Sequence, residues 1–557
     1  MTAQLLLGPL VRYVDETSAT IWVETSEATD VTVSIGQASW LAPTFSAHGK
    51  HYALVIVDGL APGSVSDYQV RLGAEQVWPP ADSPFPPSRV ATLDPAKPLR
   101  MAFGSCRTSV PHNAEGNRTH GVDAMRAYAY DMANNPDSHR HWPDLVLFLG
   151  DQVYADETSP AMQDYIEKRR GLEEPPGEEL KDFVEYAHLY HLAWSDPANR
   201  WLLSTLPSAM IFDDHDVRDD WNTSLTWHEE MNAVPWWHER IVGALASYWV
   251  YQHAGNLSPE ELAKDPIWQA ISSYEGPGEY DATELLDSFA ERVDKDPTSY
   301  RFSYARDLDQ AKLIVIDSRA ARVLDPERRA MLDDNEWQWL DGQLRGDFDH
   351  LLIGTSLPVL LPPGIHDLES LNEAMAEGAW GDRVGRFGEK VRQAVDLEHW
   401  AAFEKSFRQL IGAVVSVARG ERGKAPGTIT FLSGDVHNSY VTELDRDVPG
   451  MTSVVAQAVC SPIRNPLPVH VRALQGGVAR GLARPMRALV GRLRKVPKPP
   501  YDWSITHGPW FDNNLATLEV DGDSLLLTWD SGKVIGEEYD NPKLHRVAEV
   551  RVGRRED

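Results

Sequence analysis

Four short stretches each place a metal-binding or acid–base side chain directly after an apolar run. They are "FGSCRT" with Cys106, "GDQVY" with Asp151 and Tyr154, "FDDHD" with Asp214 and His215, and "SGDVH" with Asp435 and His437. Together they offer a thiol, carboxylates, a phenol and imidazoles. A Gly-Asp turn after a strand is commonplace by itself, but four strand ends carrying donors of this kind point to one shared site. The run Asp213, Asp214, Asp216, Asp219 and Asp220 adds a constraint, because convergent carboxylates repel unless a cation lies among them or water surrounds them. Asp214 is the metal candidate of that run: it follows Met210, Ile211 and Phe212, a strand that would deliver it to the same sheet edge as Asp151 and Asp435. Asp216, Asp219 and Asp220 read as helix-start or surface charges. His437 stands two residues after Asp435, which is a ligand's spacing.

The elements that must position these groups are legible in the same runs. "PDLVLFLG" carries Leu145 to Leu149 without alternation, as in a strand covered on both faces. "LRMAFGSC", "SAMIFDD", "KLIVIDSR", "HLLIGTS" and "GTITFLSGD" share that texture and alternate with helical segments, which predicts an α/β layered domain over residues 98–557 with its chemistry on strand-exit loops. Residues 1–97 read instead as an all-β sandwich: "SATIWVET" and "DVTVSIG" alternate, with Val31, Val33 and Ile35 on one face. The Pro-rich "PPADSPFPPS" marks the connection between the two. Trp236, Trp237, Trp249 and Tyr251 in "VPWWHERIVGALASYWVYQ" read as core rather than as a substrate platform.

Composition narrows the function classes. The chain of 557 residues has a formal charge of −30, which argues against a stable nucleic-acid complex and against broad adhesion to anionic membranes. An anionic substrate then needs local positive charge. The start "MTAQLLLGPLVRYVD" lacks a basic region followed by a long apolar core, and no stretch reaches a membrane span, so the expected location is cytoplasmic. Two cysteines, Cys106 and Cys460, exclude a disulfide framework. Cys460 reads as a buried inert thiol. A cysteine phosphatase would need an arginine six positions after its nucleophile, where this chain has His112; nor is there a Walker A loop, a G-x-S-x-G elbow or a G-x-G-x-x-G loop.

The order Cys, GDxxY, DDHD, GDxH resembles the PhoD-like branch (alkaline phosphatase D) of the binuclear metallophosphoesterases. The resemblance covers nearly the whole chain, since that branch also has an N-terminal fibronectin type III-like domain. "DGLAPGSVSDYQVRL", with Leu60 and Pro62 ahead of Tyr68, is similar to a corner of such a domain. The implied fold is a metallophosphoesterase-type layered α/β sandwich. Residue by residue, the resemblance makes Asp151 a bridging carboxylate and gives Fe3+ the further ligands Cys106, Tyr154 and His437. Asp214 and Asp435 would hold a second, divalent ion, Ca2+ by family, with Mg2+ and Mn2+ as alternatives. Ligand chemistry agrees: thiolate, phenolate and imidazole suit iron, and an all-carboxylate site suits a hard cation.

The implied activity is hydrolysis of a small phosphate ester, monoester or diester, by in-line attack of a metal-bound hydroxide, with His215 as general acid. Arg107 and Asn222, and less strongly Arg319, are placed to contact phosphate oxygens. The family's "DDHE" is "DDHD" here, Asp213 is a possible substitute ligand, and the tract between Tyr154 and Asp213 carries an acidic helical insert. A non-catalytic binding protein that keeps the metal site for structure is the alternative. Between Pro468 and Pro500, Arg484, Arg487, Arg492 and Arg494 belong to a run with no acid, read either as a solvated basic helix or as a cationic face drawing anions to the site.

Overall fold

The computed structural model describes residues 2–554 except 395, 469–471, 473–489, 491–492 and 494. Most of the basic run, including Arg480, Arg484, Arg487, Arg492 and Arg494, therefore lies outside the described residues. Two mixed sheets form the larger layered unit. In the six-stranded sheet the apolar runs Ser208–Ile211, Leu145–Leu149 and Arg100–Gly104 lie side by side and parallel, followed by the antiparallel strands Asn514–Asp521, Ser524–Lys533 and Lys543–Val552. In the seven-stranded sheet Ala311–Ile316, His350–Thr355, Thr428–Ser433 and Val454–Val459 form a parallel centre. All six apolar runs read from the sequence are strands, and each is buried because the sheets stack face to face with helices outside.

The stacking is close where glycine allows it: a Cβ on Gly354 would stand 3.2 Å from Leu147 Cδ2 and 3.3 Å from Leu149 Cδ2. Outside the seven-stranded sheet, Leu340 of the helix Asp334–Gln343 and Leu410, Ile411 and Val414 of Glu404–Ala418 share a core with Ile314, Ile316, Leu351 and Ile353. Trp237, Trp249 and Tyr251 are buried as expected, while Trp236 is half-buried. Because three parallel strands of one sheet and four of the other end on the same side, their exit loops face each other across one edge.

The N-terminal region is β-rich, with a sandwich-like pair of sheets around Val11, Ile21, Val31, Val33, Val55 and Val70. One of these sheets takes a short strand, Tyr280–Asp281, from the larger unit, pairing parallel with Phe45–Ala47. Arg12, fully buried, donates to Tyr251 O at 2.6 Å and Gln252 O at 2.7 Å. Tyr68, read as a fibronectin-like corner residue, donates to Ser204 O at 2.7 Å, so its hydroxyl docks the β region on the larger unit rather than closing its own corner. Among the described residues no helix is long and apolar enough to cross a membrane.

Candidate metal centre

Three of the four strand ends turn sharply. After Arg100–Gly104, Cys106 has φ +56; after Leu145–Leu149 and Gly150 (φ +98), Asp151 has φ +49; after Thr428–Ser433, Asp435 has φ +63 and His437 φ +50. Non-glycine residues in the left-handed region cost on the order of 1–3 kcal/mol each, and their gathering at one edge marks a constrained site. Two glycines permit the approach. A Cβ on Gly150 would lie 2.5 Å from Asp213 Cβ, and one on Gly434 would lie 2.1 Å from Ser105 Oγ. The Asp213 loop thus closes over one turn and the Asp435 loop over another.

Two donor groups result. Cys106, Asp151 and His437 present ligand atoms within 4.8 Å of one another, and Asp151, Asp213, Asp214 and Asp435 do the same. Asp151 belongs to both. Its Oδ2 is 3.2 Å from Cys106 Sγ and 3.5 Å from the Tyr154 hydroxyl. The structure brings together Cys106, Asp151, Tyr154, Asp214, His215, Asp435 and His437. Asp213 joins them, a residue held in reserve by the sequence.

The electrostatics of the two groups differ in cause. Burial and the neighbouring Asp213 push the Asp151 carboxyl well above the carboxylate range. Burial, then Asp151 and Asp435, raise the Cys106 thiol, and burial with Cys106 and Asp151 raises the Tyr154 phenol. Burial lowers His437 to about 4, which keeps its imidazole neutral. Asp213 is raised by burial although Arg319 opposes the shift, and Arg319 Nε donates to its Oδ1 at 2.5 Å. Arg319 also pairs with Asp214 Oδ1 at 3.1 Å and Glu398 Oε2 at 2.5 Å. Burial disfavours the charge of Asp435, but a hydrogen bond from His399 Nε2 at 3.0 Å outweighs it and holds the carboxyl below its ordinary range. His399 Nδ1 in turn meets Glu369 Oε1 at 2.8 Å.

Cations fit this donor set on an observation independent of motif. Asp151 Oδ1 and Asp213 Oδ2 are buried and accept from no donor among the described residues. A buried carboxylate oxygen without a partner costs about 1–3 kcal/mol or more, and a cation removes the cost while letting the raised acids ionise. Thiol, phenol, imidazole and carboxylate on one side suit iron once deprotonated, and carboxylates on the other suit a hard divalent ion.

His215 lies in reach of the second group: its ligand nitrogen and carboxylate oxygens of Asp214 and Asp219 fall within 4.8 Å of one another. Its Nδ1 meets both oxygens of Asp156, at 2.9 and 3.1 Å, and its ring stands 4.8 Å from that of Tyr154. Burial opposes its charge, yet Asp156 and Asp214 prevail and raise its pKa well above the usual value. A cleft of about 330 Å³ opens on these groups, lined by Asp214, His215, His399, Asp435, His437 and Asn438 with Leu361, Ile365, Tyr440 and Phe511.

Other expected residues are turned elsewhere. Arg107 is buried with Nε and Nη2 on Asp123 Oδ2, at 3.0 and 2.8 Å, and Nη1 on Ala193 O. Asn222 donates to Arg319 O at 3.3 Å and lines a separate cavity beside Trp221 and Leu225. Neither is brought to the cleft. Arg319 is at the site, but held on carboxylates instead of free for a phosphate. Asp216 and Asp220 are not surface charges. Asp216 is buried and accepts from the backbone N–H groups of Asp151 and Asp213 at 2.9 Å each, so it ties two of the strand ends together; Asp220 is buried beside Asp214. Asp219, with a mostly exposed side chain, keeps the expected reading. Cys460 is buried with Sγ 3.0 Å from Asn514 Oδ1.

Three groups escaped the sequence reading. Asp156 lies two residues after Tyr154 within "GDQVYADE" and could have been found as a carboxylate beside the motif. His399 and Glu369 had no local signal: they come from a helix and a loop about thirty residues apart.

Comparison with known proteins finds two family models and a solved structure of similar fold. The family model described as PhoD-like phosphatase matches residues 116–479, and one described as a domain of unknown function (DUF7800) matches residues 2–90. A solved structure described as "Structure of PhoD" superposes with a TM-score of 0.61 at 14% identity, covering 99% of this chain and 91% of that one. The type III pullulan hydrolase from Thermococcus kodakarensis, at 10% identity and a TM-score of 0.15, covers 99% of this chain and 100% of its own, too poor a superposition to carry an argument. No curated protein matches.

Proposed function

The chain belongs to the PhoD-like phosphatase family, and from that premise we propose that it hydrolyses phosphate esters with two cations that share Asp151. One observation carries the reading: two donor groups of different chemistry have that single carboxylate in common. Cys106, Tyr154 and His437 would complete an Fe3+ site with Asp151, and Asp214 and Asp435 a divalent site, with Ca2+ the first expectation. Bound there, the cations would supply charge neutralisation for the ester's phosphate and would make a water more acidic for in-line attack.

The chain's own residues do the rest. His215 protonates the leaving oxygen, and Asp156 fixes the ring so that Nε2 carries the proton to be given. His399, braced by Glu369, holds Asp435 in place through its Oδ2. Arg319 keeps Asp213 and Asp214 apart from each other's repulsion. Leu361, Ile365 and Phe511 offer apolar surface to an organic substituent.

The acidic cleft favours a diester over a monoester. Asp219, Glu369, Asp396 and Glu398 line it, and no arginine or lysine does so among the described residues. A monoester dianion brings one more negative charge into that field than a diester monoanion. Hydrolysis of p-nitrophenyl phosphate and bis-p-nitrophenyl phosphate, with and without chelator, tests the whole reading. Chelator-sensitive turnover with the diester faster is expected. Turnover of neither ester by metal-loaded protein would favour a binding role, and a faster monoester would overturn the diester preference alone.

A further inference from the structure

The protein carries a formal charge of −30, yet one exposed helix face is basic and aromatic. The helices Pro363–Ala376 and Asp382–Ala394 form a hairpin whose ends stand on the cleft: Ile365 and Glu369 of the first line it, as do Asp396 and Leu397 just after the second. The second helix buries Gly385, Gly388 and Arg392 against the first, where Asn372 Nδ2 donates to Gly388 O at 2.9 Å and Arg392 Nη2 binds Glu373 Oε2 at 2.5 Å. A Cβ on Gly388 would lie 2.9 Å from Ala376 N, so this side cannot turn outward.

With that side fixed inward, helical periodicity turns Arg383, Arg386, Phe387 and Lys390 to solvent, and all four are exposed. Phe387 is 60% exposed, and Trp380, in the turn between the helices, 36%. Lys495 Nζ stands 5.8 Å from the Trp380 ring centre. The described ion pairs of the helix are those of Arg392, with Glu373 and Glu389; the three outward cations have none among the described residues.

We propose that this face docks the protein on an anionic phospholipid surface, with Phe387 entering the headgroup layer and Arg383, Arg386 and Lys390 against lipid phosphates. Charge complementarity selects that occupant. A cationic helix face with an aromatic residue projecting from its middle is what interfacial helices present. The acidic remainder of the molecule does not cancel the attraction, because charges beyond a Debye length of about 8 Å are screened at physiological salt. Since both ends of the hairpin stand on the cleft, docking keeps the cleft beside the surface.

The test is sedimentation of the full chain with vesicles of phosphatidylcholine, with and without phosphatidylglycerol. It reads binding alone and is independent of the phosphatase reading. Salt-sensitive binding only to the phosphatidylglycerol vesicles is expected. Replacing Arg383, Arg386 and Lys390 by Glu should lower it about a hundredfold or more, at the roughly fivefold per residue that such contacts contribute. Phe387→Ala should weaken it severalfold, and neither variant should alter turnover of a soluble ester. No binding to phosphatidylglycerol vesicles, or binding unchanged in the triple variant, would overturn the proposal. Capture of soluble polyphosphate in place of vesicles would do the same, assigning the face to a polyanion.

Discussion

On one side of Asp151, Cys106, Tyr154 and His437 pair with no arginine or lysine among the described residues, and the Cys106 thiol and Tyr154 phenol are pushed toward their protonated forms. On the other side, Asp213, Asp214 and Asp435 are held by Arg319 and His399, which supply positive charge from the protein itself. The first half would need a strongly polarising ion to deprotonate it. The second half is only partly balanced from within, since Asp213 Oδ2 accepts from no donor among the described residues. On the proposed reading, a carboxylate half without its ion still has Arg319 and His399 beside it, whereas the thiol and phenol would become donors only with an ion bound.

That contrast is open to attack from both sides. Asp214→Asn should remove the divalent ion and bring turnover to background while the iron-type half keeps its content. Retained divalent ion with normal turnover would take Asp214 out of the site. His215→Ala should keep both ions and lower turnover on the order of 10²- to 10⁴-fold. An ester whose leaving group needs no proton should be affected far less, and an equal loss on that ester would remove the acid role.

Replacing Arg319 by Met should destabilise the metal-free protein by about 3–5 kcal/mol, since it strands buried carboxylates. Added divalent ion should recover part of this in thermal melts. A variant as stable as the parent would show that the carboxylate half needs no internal counter-charge. Smallest in energy is Tyr154→Phe, which tests the other half by colour. A phenolate on ferric iron absorbs visible light, so the band of iron-loaded protein should bleach or shift, and an unchanged spectrum would exclude the phenol as a ligand.

The sequence went furthest where the chain itself carries the geometry. An unbroken apolar run such as Leu145–Leu149 specifies a strand covered on both faces, and parallel strands bring their ends to one edge, so the convergence of Cys106, Asp151, Asp214 and Asp435 was legible from strand texture and order. What stayed hidden depends on side-chain direction and on partners distant in the chain. Asp216 looked like a helix-start charge, and only the fold shows it accepting from the backbone of two strand ends. Arg107 sits beside Cys106 in sequence, yet its guanidinium turns away to buried Asp123. His399 reaches Asp435 from a loop, with Glu369 of a helix behind it, and no spacing in the sequence ties either to Asp435.

The central claim is that one carboxylate serves both halves, and elemental analysis of purified Asp151→Asn, beside the parent and Asp214→Asn, tests it most directly. The account predicts that Asp151→Asn loses iron and the divalent ion together, while Asp214→Asn loses only the divalent ion. An Asp151→Asn protein that is folded and still holds either ion at the parent's stoichiometry would contradict it.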